Sequence, residues 1–265
     1  MPQGSTAIPT CFMPASDAFS TSIARNFLFE FEGKDSDYVK LLSEDLRRLF
    51  FHEFNDKVRS GAINRIVISG QEGSGKSFNT LLLSLQLSRE GYVVHYCPDI
   101  SSVSLTPEQL RPIARSHRPR TLFIIDSVQQ DPLKAANLVS AISHVGSYAN
   151  EPVFLFLSRP LGEEAFLNTF GLNTPQLRIV DKFVDFERLV SMFFEAKGKP
   201  QDANTLLRNE NTARLPGIAW TYRNMAFWNE VLRSFWEEEN PKLTEEHIVA
   251  RAHAFFRRNE PGLLS

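Results

Sequence analysis

Three short segments of the chain consist almost entirely of apolar residues, without the polar alternation of a half-exposed strand. They cover residues 66–69, 122–125 and 152–157. Continuous apolar runs of this length are typical of strands that are buried on both faces of a parallel sheet. Two further segments, 92–96 and 177–180, have the composition of strands as well. Together these segments predict a five-stranded parallel sheet.

Helical periodicity fills the intervals between these strands. Apolar residues recur at three- and four-residue steps over 36–58 and 77–89, and helices are also predicted from Thr106 and over 132–142. Alternating strands and helices predict an α/β domain with helices on both faces of the sheet. From about residue 186 the pattern is helical only, and helices are predicted over 187–196, 201–208, 221–238 and 244–258. We therefore predict a disordered tail over 1–25, an α/β domain over 26–185 and a small helical lid over 186–265.

The segment between the strand at 66–69 and the helix at 77–89 carries the sequence pattern G-x-x-x-x-G-K-[ST], the Walker A phosphate loop. Glycines allow a tight turn whose backbone N–H groups approach phosphate oxygens, and the following helix N-terminus adds partial positive charge. Lys76 is expected to reach the β- and γ-phosphates, and the Ser77 hydroxyl to bind Mg²⁺. The alternative is a glycine-rich turn with a surface lysine. The motif residues are Gly70, Gln71, Glu72, Gly73, Ser74, Gly75, Lys76 and Ser77.

The apolar strand at 122–125 is followed directly by Asp126. A carboxylate in this position lies at the carboxyl edge of a parallel sheet, where open α/β sheets bind their ligands. The pattern matches a Walker B strand, so Asp126 is predicted to bind Mg²⁺ directly or through water. The alternative is that Asp126 caps the helix predicted over 132–142.

The strand at 152–157 ends in Ser158, Arg159 and Pro160. Polar groups there would face the γ-phosphate or the attacking water if this strand lies beside the phosphate-loop strand. Such an arrangement inserts one strand between the phosphate-loop strand and the Asp126 strand. It is the order of the larger division of P-loop proteins, and we predict it for this sheet.

The chain resembles the AAA+ and STAND divisions of P-loop ATPases, the latter including the NACHT and NB-ARC modules. The phosphate loop carries the resemblance, together with segments 122–126, 156–159 and 214–219. The resemblance implies ATP and Mg²⁺ as cofactors, Arg159 as a phosphate sensor, and Pro216 close to the base or sugar. It also extends the nucleotide contacts to Phe78. Each of these two roles has an alternative: Arg159 could be a surface residue, and Pro216 could simply start a helix.

The sequence departs from many ATPases directly after Asp126, where a second carboxylate normally activates the attacking water. Ser127 stands there instead. Gln129 or Gln130 could position a water without acting as a base, and Asp131 could reach in from the loop. A missing base slows turnover by about 100-fold or more while leaving binding intact. We therefore predict a slow ATPase or a nucleotide-dependent switch, with Lys76, Asp126 and Arg159 as the catalytic residues.

Composition limits the remaining function classes. The 265 residues carry a formal net charge of -2, two cysteines and no apolar stretch of membrane-spanning length. This pattern favours an intracellular, preferably cytoplasmic, protein without a membrane partner. A protein partner or self-association is expected, because STAND proteins normally join such a module to effector and sensor parts. A non-hydrolysing scaffold and a small-molecule kinase remain alternatives. Nucleic acid is a less favoured partner, suggested by Arg111, Arg115, His117, Arg118 and Arg120.

Overall fold

The computed structural model describes residues 8–18, 64–71, 76–115, 121–145, 152–178, 190–191, 194–195, 198–208, 246, 249–251, 253–254 and 257. The chain divides into two compact units. The first consists of Met1–Ser20, Glu44–Gln71 and Lys76–Ile179, and the second of Thr21–Ser43, Glu72–Gly75 and Val180–Ser265. The proposed domain limits at residues 26, 185 and 186 stay predictions.

The first unit contains a six-stranded sheet. Its strands are β1 (Met13–Pro14), β2 (Arg65–Ser69), β3 (Val93–Cys97), β4 (Thr121–Ile125), β5 (Val153–Ser158) and β6 (Gln176–Arg178). The spatial order is β1-β3-β4-β5-β2-β6. All neighbouring pairs from β3 to β6 are parallel, and β1 is antiparallel to β3. The predicted five-stranded parallel sheet is therefore confirmed, with one antiparallel edge strand added.

Strand β5 lies between β2 and β4, as the sequence predicted. Ser69 of β2 is in register with Ser158 of β5, and Ile125 of β4 is in register with Phe156. Because these strands are parallel, their carboxyl ends share one edge of the sheet. The segments that follow β2, β4 and β5 therefore meet there.

The described helices connect these strands. They are α1 (Lys76–Arg89), α2 (Pro107–Arg115), α3 (Pro132–Ser143) and α4 (Glu163–Phe170), while α5 (Pro200–Arg208) belongs to the second unit. Gly91, with a φ of 91°, ends α1, and the Tyr92 N–H bonds to the Leu87 carbonyl. The predicted helices after the phosphate loop, from residue 106, over 132–142 and over 201–208 are confirmed within one residue. Helix α4, flanked by Gly162 and Gly171, was not predicted.

The central strands are buried on both faces. On one face, Phe123, Phe154 and Phe156 belong to a continuous apolar cluster with residues of α2, α3 and α4. Residues of the opposite face, such as Ile68 and Leu155, are also fully buried. This double burial explains why the strands read as unbroken apolar runs. Among the described residues, no helix is long and apolar enough to cross a membrane.

The predicted disordered tail is wrong for residues 8–18. Met13 and Pro14 pair with Tyr96 and His95 of β3, and the Phe12 side chain is buried with its ring 5.0 Å from that of Phe123. The exposed edge of β3 and the apolar surface beside it hold this segment. Predicted helices at 36–58, 221–238 and most of 244–258 lie outside the described residues.

Candidate functional site

The carboxyl edge of the sheet brings three predicted site residues into one region. Gly70 directly follows β2, Asp126 directly follows β4, and Arg159 directly follows β5. Since β5 lies between the other two strands, the ends of all three are neighbours. This is the edge at which open parallel sheets bind ligands.

The described ends of the phosphate loop are Gly70 and Gln71 on one side and Lys76 on the other. Gly70 is buried, and its N–H donates to the Ser158 carbonyl at 3.1 Å. The Lys76 ammonium donates to the Gln71 carbonyl at 3.2 Å. Glu72, Gly73, Ser74 and Gly75 lie outside the described residues, as does the side chain of Phe78.

Ser77 lies in the first turn of α1, and its hydroxyl donates a hydrogen bond to Asp126 Oδ2. The two residues are 49 positions apart in the chain. Asp126 is only 8% exposed. Its other oxygen, Oδ1, accepts the N–H of Ser127 at 2.7 Å. The hydroxyl and the carboxylate that the sequence assigned to a Mg²⁺ ion are therefore in direct contact.

Tyr96 is a further member of this cluster that the sequence analysis did not identify. Its hydroxyl donates to Asp126 Oδ2 at 2.9 Å. Burial first, and then the adjacent Asp126 charge, raise the pKa of Tyr96 far above its ordinary value of 10.0. The hydroxyl therefore stays protonated and acts as a donor. A tyrosine near the carboxyl end of the strand next to Asp126 was the available signal.

The alternative role of Asp126 as a helix cap does not hold. Helix α3 is capped by Asp131, whose Oδ1 accepts the Lys134 N–H at 2.9 Å. The Asp131 side chain thus serves the helix, while Asp126 contacts Ser77 and Tyr96. Asp126 therefore does not cap α3, and one carboxylate oxygen of Asp131 is engaged at the start of that helix.

The residues after Asp126 form a tight 3-10 turn, Val128–Gln130. Ser127 has a φ of 57° and a ψ of 35°, a left-handed conformation that is uncommon for residues other than glycine. Gln129 is half-buried and its Oε1 accepts the Arg159 N–H at 3.1 Å, whereas Gln130 is exposed. The turn therefore joins the end of β4 to the end of β5, and Gln129 rather than Gln130 makes this contact.

Ser158, the last residue of β5, has a fully buried hydroxyl. Within the part of the chain that the structure describes, this oxygen has no hydrogen-bond partner. Buried hydroxyls normally have one. Ser158 therefore retains a donor beside Gly70, at the strand end where the sequence placed polar groups facing a phosphate.

The donor set fits Mg²⁺. A hydroxyl and a carboxylate are the hard oxygen ligands that Mg²⁺ takes from P-loop proteins, the remaining positions being filled by phosphate oxygens and water. Among the described residues, no group of three or more His, Cys, Asp or Glu could hold a metal alone. Both the oxygen donors and the lack of a larger ligand group in the described part of the chain fit a Mg²⁺ site in which Ser77 and Asp126 supply two oxygens and phosphate and water supply the others.

The predicted site residues therefore fall into two groups. Gly70, Gln71, Lys76, Ser77 and Asp126 are placed around the carboxyl edge, together with Arg159, whose backbone is bonded to Gln129. The second group is Glu72, Gly73, Ser74, Gly75, the side chain of Phe78, and Pro216, which lie outside the described residues, so their roles stay predictions.

No protein-family model and no curated protein sequence matches this chain. Several solved structures are similar to it. Caenorhabditis elegans PCH-2 is 17% identical with a TM-score of 0.46, over 91% of this chain and 73% of that one. Drosophila ORC bound to DNA is 18% identical with a TM-score of 0.39, over 76% of this chain and 58% of that one. Aeropyrum pernix ORC2 in its ADP form is 15% identical with a TM-score of 0.49, over 80% of this chain and 67% of that one. At these scores the similarities identify neither a family nor a ligand.

Proposed function

We propose that this chain binds a nucleoside triphosphate together with Mg²⁺, with ATP as the expected nucleotide, and acts as a slow ATPase or nucleotide-dependent switch. The observation that supports this most strongly is the hydrogen bond from Ser77 to Asp126 Oδ2. In P-loop proteins the Ser or Thr after the lysine and the Walker B aspartate hold one Mg²⁺ between them. A glycine-rich turn without a role in phosphate binding gives no reason for Ser77 to contact the buried carboxylate that follows β4.

The remaining roles follow from the same edge of the sheet. Lys76, now bonded to the Gln71 carbonyl, would exchange this contact for the β- and γ-phosphates. The first turn of α1 presents backbone N–H groups and the positive end of the helix dipole. When bound, Mg²⁺ neutralises charge on the β- and γ-phosphate oxygens. Ser77 and Asp126 would hold it there.

Slow turnover is supported by the residues beyond Asp126. Ser127 offers no carboxylate, and its backbone N–H donates to Asp126 Oδ1. Gln129 can orient a water through its amide but cannot accept a proton at neutral pH. Loss of general-base catalysis costs about 100-fold or more in rate. The affinity for the nucleotide depends on the phosphate loop, so we expect it to be unchanged.

A switch requires a second state and a partner that distinguishes the two states. The resemblance to AAA+ and STAND modules supports a protein partner or self-association, with Arg159 as the residue that senses the γ-phosphate and Pro216 near the base. Arg159 is suited to this role because its backbone N–H is bonded to Gln129 in the turn after Asp126. Loss of the γ-phosphate would thus affect the ends of both β4 and β5, which this hydrogen bond joins.

A second candidate is a scaffold that holds a nucleotide without hydrolysing it, and Ser127 in place of a carboxylate favours it. A third candidate, action on DNA or RNA, has less support. Arg111 lies 3.9 Å from Glu108, which offsets part of its charge. Arg115 is exposed at the end of α2, and the other members of the basic cluster, His117, Arg118 and Arg120, lie outside the described residues.

Phosphate release from the purified protein tests the proposal. We expect slow, Mg²⁺-dependent release that is lost in Asp126→Asn and Lys76→Ala. Asp202→Asn, an exposed carboxylate of α5, is the matched control and should leave the rate unchanged. ATP binding without any release would favour the scaffold. Equal release from all four proteins would contradict the proposed site.

A further inference from the structure

Tyr96 is placed by the sheet against the carboxylate of the candidate Mg²⁺ site. It is in register with Ile124 of the neighbouring strand β4, and Asp126 follows Ile124 by two residues. Residues two apart on a strand point to the same side, so Tyr96, Ile124 and Asp126 share one face. The tyrosine side chain is long enough to extend along this face to Asp126. Its hydroxyl lies 2.9 Å from Oδ2.

Asp126 Oδ2 accepts hydrogen bonds from two side chains on different elements, Ser77 on α1 and Tyr96 on β3. Oδ1 accepts the Ser127 N–H. Together these three donors fix the orientation of the carboxylate. If Ser77 turns its oxygen toward a cation, as in the proposed function, its bond to Oδ2 is rearranged. The hydrogen bond from Tyr96 to Oδ2 does not depend on this rearrangement of Ser77, because the backbone of Tyr96 is held in β3.

We propose that Tyr96 is a positioning residue of the Mg²⁺ site, which keeps the Asp126 carboxylate oriented toward Ser77 when the metal binds. This inference rests on the proposed function. Outer-shell partners of metal ligands orient those ligands, and their loss typically costs 10- to 100-fold in metal affinity. Without the hydroxyl, Asp126 can rotate about its side-chain bonds, so part of the binding free energy must restrict that motion.

A purely structural role makes a different prediction. If the hydroxyl only satisfied a buried acceptor, its removal would lower the stability of the fold without changing the response to Mg²⁺. The distinguishing quantity is therefore the dependence of nucleotide affinity on Mg²⁺. Phosphate release alone would not separate the two roles.

The test is calorimetric titration of ATP into the protein, with Mg²⁺ varied in one series and with EDTA in the other. Three proteins are compared: the unsubstituted protein, Tyr96→Phe and Tyr92→Phe. Tyr92 precedes β3, is half-buried and serves as the matched control. We expect Tyr96→Phe to need about 10-fold more Mg²⁺ for the same ATP affinity. We expect ATP affinity in EDTA to be the same for all three proteins.

Each other outcome has a separate meaning. If the unsubstituted protein binds no ATP in either series, the proposed function fails, whatever the role of Tyr96. If it binds and Tyr96→Phe shows the same Mg²⁺ dependence, the positioning role is overturned. An equal loss of affinity with Mg²⁺ and with EDTA also overturns it. Should Tyr96→Phe not fold, Tyr96→Met fills the space without a donor and is judged by the same criteria.

Discussion

The backbone N–H of Arg159 donates a 3.1 Å hydrogen bond to the side-chain oxygen of Gln129. One residue follows β5 and the other lies in the turn after Asp126, 30 positions earlier in the chain. A glutamine side chain held in this way is preorganised, with its amide nitrogen still able to donate. Gln129 therefore connects the proposed Mg²⁺ site with the end of the strand that carries the predicted phosphate sensor.

Replacement of Gln129 by alanine should slow phosphate release without weakening ATP binding. Loss of one hydrogen bond of about 1 kcal/mol in the transition state corresponds to roughly a 5- to 10-fold lower rate. Gln130→Ala, at the exposed neighbouring position, is the matched control and should leave the rate unchanged. Single-turnover measurements with excess protein would show this directly. Equal rates for Gln129→Ala and the unsubstituted protein would exclude Gln129 from the reaction.

Ser127 provides a prediction about stability. Its φ of 57° is tolerated by glycine and is unfavourable for a β-branched residue. Ser127→Val should therefore lower the free energy of unfolding by about 1–2 kcal/mol, whereas Ser127→Gly should leave it unchanged or slightly higher. Urea denaturation measures both. If Ser127→Val and Ser127→Gly have the same free energy of unfolding, Ser127 does not adopt the left-handed conformation.

His95 predicts a dependence of stability on pH. Burial lowers the pKa of its imidazole below the ordinary value of 6.5, and Nε2 has no hydrogen-bond partner among the described residues. Below pH 6.5 the His95 imidazole is therefore protonated more readily in the unfolded state than in the folded state. Stability should be complete above pH 6.5 and should fall as the pH drops below it.

The same measurement on two variants identifies the residue responsible. His95→Phe keeps a ring against Phe123, whose centroid lies 5.6 Å from that of His95, and should flatten the acid side of the stability profile. His144→Gln, at the exposed end of α3, should retain the loss of stability. A profile for His95→Phe that still falls like that of the unsubstituted protein would place the titration elsewhere.

The sequence predicted those features that local pattern determines. Segments 66–69 and 122–125 consist almost entirely of apolar residues because both faces of their strands are buried, so their place in the sheet could be inferred. Asp126 was identified because it ends such a run. Its two possible roles could not be separated until Asp131 was seen to cap α3. A capping aspartate and a metal-binding aspartate have the same local sequence.

Side-chain contacts between neighbouring strands could not be predicted. The bond from Tyr96 to Asp126 depends on the register of β3 against β4, which neither segment specifies alone. Strand β1 has only two residues, one of them Pro14, and shows no alternation that would mark it as a strand. The edge of β3 supplies its partner. Helix α4 could have been found, because Glu163 and Glu164 lie in its first turn and a glycine flanks each end.

In the proposed function, the loop ending in Lys76 and Ser77 binds the phosphates of a nucleotide. The decisive measurement is calorimetric titration of ATP with Mg²⁺ into three proteins: the unsubstituted protein, Lys76→Ala and the exposed-lysine control Lys199→Ala. Circular dichroism confirms that all three fold. We expect binding to the unsubstituted protein and to Lys199→Ala, and no detectable binding to a folded Lys76→Ala. Equal ATP affinity in all three proteins, or no heat of binding in any of them, would contradict it.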